Sequence, residues 1–164
     1  MQISDRTYNE SFRDKSTRIA VITALFNQQI TTALARGAVE QLQKSGISRE
    51  NILLIEVPGA WELPVAAKRI LTARKAQAVI ACGCVIRGET GHYDIVANES
   101  ARGLMAVSIE TNLPVMNAVL TVENTAQAEA RARSDESNKG AEAARSLAEL
   151  MNNMQAAGLP FSHG

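Results

Sequence analysis

A histidine behind a glycine-rich run, aromatic residues behind apolar segments and a guanidinium on a late polar helix are the groups here that could do chemistry. His92, the only histidine outside the tail, closes Gly83-Cys84-Val85-Ile86-Arg87-Gly88-Glu89-Thr90-Gly91 and precedes Tyr93-Asp94. An imidazole there can accept and deliver protons near neutrality, although the position equally suits a surface histidine at a helix start. Asp94 either orients it or complements the helix dipole. Thr90 with the amides of Gly88 to Gly91 can form an anion nest, and Arg131 can add a guanidinium or be a solvated helix residue. Phe26 and Trp61, the latter the only tryptophan, can stack on a planar heterocycle or pack their loops. Glu62 and Glu89 do not form an acid/base pair, and no metal-ligand set accompanies them.

These groups need a scaffold that brings loops together. Arg18 to Ala24 and Asn51 to Val57 have the composition of strands, and Ala78 to Ala81 and Val115 to Leu120 follow as shorter ones. Helices are expected from Ile30 to Leu42, from about Leu63 to Arg74, from the histidine turn to Thr111, over Thr125 to Arg133 and from Lys139 to about Ala157. Ser45-Gly46, Asn112-Leu113-Pro114 and Gly158 with Pro160 supply stops. Alternating strands and helices predict an α/β fold: a three-layer, doubly wound, flavodoxin-like domain with a four-stranded parallel sheet and helices on both faces. In such sheets ligands bind at the carboxyl ends of the strands, where Phe26, Trp61 and the turn before His92 fall.

The 164 residues suit one domain, read as residues 17–158, preceded by a polar arm at 1–16 whose Tyr8 and Phe12 could dock on a neighbour and followed by a frayed tail at 159–164. Seventeen basic residues balance seventeen acidic ones, so no electrostatic footprint for nucleic acid or an anionic membrane is present. Cys82 and Cys84 have neither the C-x-x-C spacing of a redox or zinc half-site nor a disulfide pattern. With no secretion signal and no membrane-length apolar run, a reduced, cytoplasmic protein is expected.

Taken together, Phe26-Asn27, Val57-Pro58-Gly59-Ala60-Trp61-Glu62-Leu63-Pro64, Val85 to Asp94, Val119-Leu120-Thr121, Gln127-Ala128 with Arg131, and Asn138 to Ala144 resemble the lumazine synthase family of riboflavin biosynthesis over roughly residues 18 to 155. The resemblance implies condensation of 5-amino-6-(D-ribitylamino)uracil with 3,4-dihydroxy-2-butanone 4-phosphate, releasing inorganic phosphate, without cofactor or metal. It further implies that Phe26 holds the pyrimidine, that Ala60, Trp61 and Glu62 meet the ribityl chain and that Cys84, Val85 and Ile86 line the ring pocket. Glu89 and Thr90 match its phosphate-binding turn, Arg131 the counter-charge, Lys139 a lysine near the phosphate and His92 the proton-transfer residue.

Cys84 stands where many members have threonine, Asn117 where they have phenylalanine and Gly91 where they have proline, threonine or alanine. Asn117, expected to face the bound ring, thus replaces an apolar wall with an amide. The family builds pentamers, in some members packed into icosahedral shells, with Asn117 and Arg131 given by the neighbour of the subunit giving His92. Riboflavin synthase is the implied protein partner. The alternative reading is a weakly active or inactive homologue that forms shells or binds flavin.

Overall fold

The computed structural model describes residues 10–163. Its centre is a four-stranded sheet in the order β2-β1-β3-β4, formed by β1 (Ile19–Ala24), β2 (Ile52–Val57), β3 (Ala78–Ile86) and β4 (Val115–Val122). Every pairing is parallel. All six residues of β1 are buried, as are the first seven of β3, which is why Ile19 to Ile22 and Ala78 to Ala81 read as continuous apolar runs. The outer strands β2 and β4 bury only part of their length. The chain is therefore the expected α/β, flavodoxin-like domain.

Helices α1 (Gln28–Lys44), α4 (Thr125–Arg131) and α5 (Lys139–Ala156) cover one face of the sheet, and α2 (Leu63–Thr72) and α3 (His92–Thr111) the other. In α1 the apolar positions Ile30, Leu34, Ala38 and Leu42 recur every three or four residues and face the same core as Ala144, Leu147 and Ala148 of α5. Gly46, at φ 101°, follows the end of α1 in the left-handed conformation that its lack of a Cβ permits. On the opposite face Leu63, Ala67 and Leu71 of α2 pack with Leu104 and Val107 of α3.

The third strand runs further than its apolar pattern predicts. Pairing continues through Gly83 with Val119 and Cys84 with Leu120 to Ile86 with Val122, so the turn before His92 begins at Arg87 rather than at Gly83. Gly83 lies within this paired stretch: a Cβ there would lie 3.3 Å from both Leu63 Cδ1 and Val119 Cγ1, so glycine lets α2 approach the sheet.

Both ends of the described stretch engage the domain. Phe12 is only 2 % exposed within the α1/α5 core, and the Phe12 amide donates to the Ser45 carbonyl at 2.9 Å. Asn152 Oδ1 accepts from the Arg13 amide while its Nδ2 donates to the Ser11 carbonyl. The expected boundary after residue 16 thus coincides with no break in packing, and Phe12 is used within its own chain; Tyr8 lies outside the described residues. In the tail expected to fray, Phe161 packs on the α2/α3 core and the His163 ring lies 3.0 Å from the Ala76 carbonyl.

Candidate functional site

A cleft of about 680 Å³ opens where β1, β2 and β3 end. Its lining includes Phe26, the stretch Pro58 to Glu62, the strand end Cys84 to Ile86, and Thr90 and His92 from the turn and helix that follow. In the strand order found here the chain reverses its winding between β1 and β3, the crevice where open α/β sheets bind ligands.

Each lining segment has a local cause. Phe26 follows β1 in a turn held to β2, with the Leu25 and Phe26 amides donating to the Val57 and Pro58 carbonyls at 2.8 and 3.0 Å. Phe26 is 72 % exposed and Trp61 56 % exposed, so neither aromatic is consumed by loop packing. Trp61 sits in a single 3₁₀ turn, Ala60–Glu62, that leads into α2. Glu62 closes this turn by accepting from the Gly59 amide at 2.9 Å, and Pro64 occupies the first turn of α2.

His92 is exposed at the first position of α3, and its backbone amide donates to the Thr90 hydroxyl at 3.3 Å. Gly91 has an ordinary φ of −69°, and a Cβ at Gly88 or Gly91 would meet nothing within 4 Å. Glycine here leaves the mouth of the cleft open. Asp94 does not orient the imidazole: its carboxylate lies 3.5 Å from Arg87, which also bonds Glu123 at 2.8 Å and stacks over Tyr93 at 4.2 Å. The hydrogen bond to Glu123, aided by the charges of Glu123 and Asp94, holds the Arg87 proton more tightly than in a free guanidinium. Arg87 thereby ties the end of β4 to the start of α3.

The remaining candidates divide around β4. Asn117, Arg131 and Lys139 line a separate cleft of about 320 Å³ between β4 and α5, and Glu89 is exposed and lines neither cleft. Asn117 turns its Oδ1 back to the Val119 amide at 2.9 Å, which leaves its NH₂ as the outward donor. Arg131 bonds the Gln127 carbonyl of its own helix at 2.9 Å, and Lys139 pairs with Glu142 at 2.7 Å. Lys139 is placed by its neighbour Asn138, which is 2 % exposed, accepts from the Gly140 and Ala141 amides and donates to the Ala33 and Arg133 carbonyls.

Over this geometry, the sequence family described as 6,7-dimethyl-8-ribityllumazine synthase matches residues 16–155. The chain belongs to that family. Similar proteins bearing the same name include one from Xanthomonas oryzae pv. oryzae, strain PXO99A, 46 % identical over 148 residues that cover 90 % of this chain and 96 % of that one. Another is from Xanthomonas axonopodis pv. citri, 45 % identical over the same shares. The Gemmatimonas aurantiaca protein is 46 % identical over 140 residues, 85 % of each chain.

Within this lumazine synthase fold, Phe26, Ala60, Trp61, Glu62, Cys84, Val85, Ile86, Thr90 and His92 share one cleft, and Asn117, Arg131 and Lys139 share the other. Tyr93, Ile95 and Val96 also line the first cleft without having been singled out from the sequence. A helix-face reading finds two of them, because positions three and four beyond His92 lie on its side of α3. Cys84 lines the cleft as a neutral thiol, its pKa pushed up to about 11 by burial. No group of three or more His, Cys, Asp or Glu side chains placed to hold a metal occurs among the described residues.

Proposed function

We propose that this chain catalyses its family's condensation, 5-amino-6-(D-ribitylamino)uracil with 3,4-dihydroxy-2-butanone 4-phosphate to 6,7-dimethyl-8-ribityllumazine. The observation that carries the reading is one cleft holding two exposed aromatic rings and an exposed imidazole at the β1/β3 crevice of a lumazine synthase fold. Phe26 stacks on the flat pyrimidine, with Cys84, Val85 and Ile86 as the ring-lining wall and Ala60, Trp61 and Glu62 toward the ribityl chain.

The ring's primary amine adds to the ketone carbonyl, and loss of water gives an imine. Inorganic phosphate then leaves, and the ribityl-bearing nitrogen closes the second ring as another water departs. Each step moves a proton, and His92 is the group placed to shuttle it, since an imidazole both accepts and donates near neutrality. Holding two substrates in register supplies a further large part of the acceleration. The chemistry needs no covalent nucleophile, metal or cofactor, which accords with a Cys84 thiol held protonated by burial.

Phosphate is met by Glu89-Thr90 on the turn and by Arg131, with Lys139 nearby. In a single chain Arg131 and Asn117 line the second cleft, so the reading includes a pentamer whose neighbouring subunits complete each site. Packing of pentamers into a shell, a cytoplasmic location and association with riboflavin synthase belong to the same reading. No helix among the described residues is long and apolar enough to cross a membrane.

Purified full-length protein given both substrates should form a fluorescent lumazine, with its particle mass read on the same sample. Absence of product above the uncatalysed background in a folded, assembled sample would overturn the enzyme reading.

A further inference from the structure

Asn27 combines features that its place at the start of α1 does not require. Its backbone is left-handed, φ 61° and ψ 46°, a region that asparagine enters more readily than other residues bearing a Cβ, glycine aside. Asparagine at a helix start ordinarily accepts a hydrogen bond from an amide of the first turn, yet this side chain makes no such cap. Instead its Nδ2 donates to the Cys84 carbonyl at 2.9 Å, across 57 residues of chain.

The sheet explains why that carbonyl needs a donor. Pairing between β1 and β3 ends at Thr23 with Cys82, whereas β3 continues beside β4 to Ile86. Cys84 therefore extends beyond the last β1 partner, and the Asn27 amide substitutes for the absent strand. Phe26, one residue earlier, is already bonded to the β2 side through the Pro58 carbonyl. Its backbone is thus held from both sides while its ring stays exposed in the cleft.

We infer that Asn27 is a positioning residue for ring binding: its side-chain amide locks the turn bearing Phe26 to the Cys84 end of β3 and sets the aromatic ring relative to the Cys84–Ile86 wall. The identity of the bound ring rests on the proposed function, but the lock itself does not.

The test uses the intact protein and fluorescence titration with 6,7-dimethyl-8-ribityllumazine. Asn27→Gly keeps the left-handed backbone and removes the donor, so it should weaken lumazine binding about 10-fold, the scale of one lost hydrogen bond. In a Phe26→Ala background the same change should cost less than about 2-fold, because Asn27 acts through Phe26. Full additivity would overturn the proposal by showing direct contact with the ligand, and unchanged affinity would overturn it by showing an idle bond. A lower melting temperature with unchanged affinity would assign Asn27 to stability alone. Should Asn27→Gly fail to fold, Asn27→Asp, which tolerates the same φ and also lacks the donor, takes its place with the same expectations. Wild-type protein that binds lumazine without forming it would sink the reaction and leave this role standing. Normal turnover in the wild type with indifferent Asn27 variants would sink this role alone.

Discussion

The two clefts flanking the carboxyl half of the sheet are built from different materials. The larger joins four chain segments and is lined mainly by apolar and aromatic groups, with His92 and Thr90 its polar members beside Glu62. The smaller is carried by one edge strand and the helices after it, and presents Arg131, Lys139 and an asparagine amide. Under the proposed function the first would take the planar ring and the second the phosphate, with Lys139 there already paired to Glu142. Within one subunit the two linings share no residue, and the pentamer of the proposed function would bring one subunit's first cleft to another's second.

The sharpest break between them should come at His92. His92→Ala should slow turnover by about 10- to 1000-fold while binding of lumazine persists, because general acid/base catalysis is usually worth that much and the stacking wall survives. An unaltered rate in steady-state kinetics would remove the imidazole from the mechanism. Arg131→Ala addresses the other cleft and should raise the KM for the phosphorylated ketone by about 10- to 100-fold, the scale of a lost charge-assisted hydrogen bond. The uracil KM should stay near its wild-type value, and an effect confined to the uracil would assign Arg131 to the wrong partner.

Much of the first cleft was legible in the chain order because its parts are local. Each lining segment ends or follows a strand, and Phe26, Trp61 and His92 stand in the segments that follow one. The end of β3 was misplaced because Gly83 and the cysteines interrupt the apolar pattern, while the pairing with β4 that extends the strand is contributed from more than thirty residues away. For the same reason the Asn27 bond to Cys84 has no trace in local sequence. Division of the candidates between two clefts was equally invisible to periodicity, and the resemblance implied only that Asn117 and Arg131 come from a neighbouring subunit. Phe12 and Phe161 looked peripheral in sequence because their partners belong to α1, α5, α2 and α3, which lie far from them along the chain.

The second cleft depends on the seam between α1 and α5, and that dependence is open to a stability test. A Cβ on Gly140 would overlap the Leu34 carbonyl of α1, a backbone atom that cannot rotate away. Gly140→Ala should therefore cost about 1–3 kcal/mol in urea unfolding, as overpacking in a dense core commonly does. Because Gly140 adjoins Lys139, the substitution should disturb ketone-phosphate affinity more than lumazine affinity. Equal losses in both would show that the clefts are mechanically coupled.

The smallest expected effect concerns the thiols beneath the first cleft. Burial pushes the Cys82 thiol up to about 12 and the Cys84 thiol up to about 11, from an ordinary value of 9.0. A raised folded-state pKa means that the native protein keeps protons the unfolded chain releases, so this contribution is fully present below about pH 9 and is lost as pH rises through about 11 and then 12. Between pH 8 and 10.5 the unfolded chain releases protons that the folded thiols keep, so both should draw stability down. Cys82→Ala and Cys84→Ala should accordingly flatten the alkaline decline in urea unfolding even though each lowers stability at pH 8. An unchanged slope in both variants would mean that the thiols ionise within the folded protein, and rapid alkylation of Cys84 at pH 8 would locate that failure at the ring-lining wall rather than in the core beneath it.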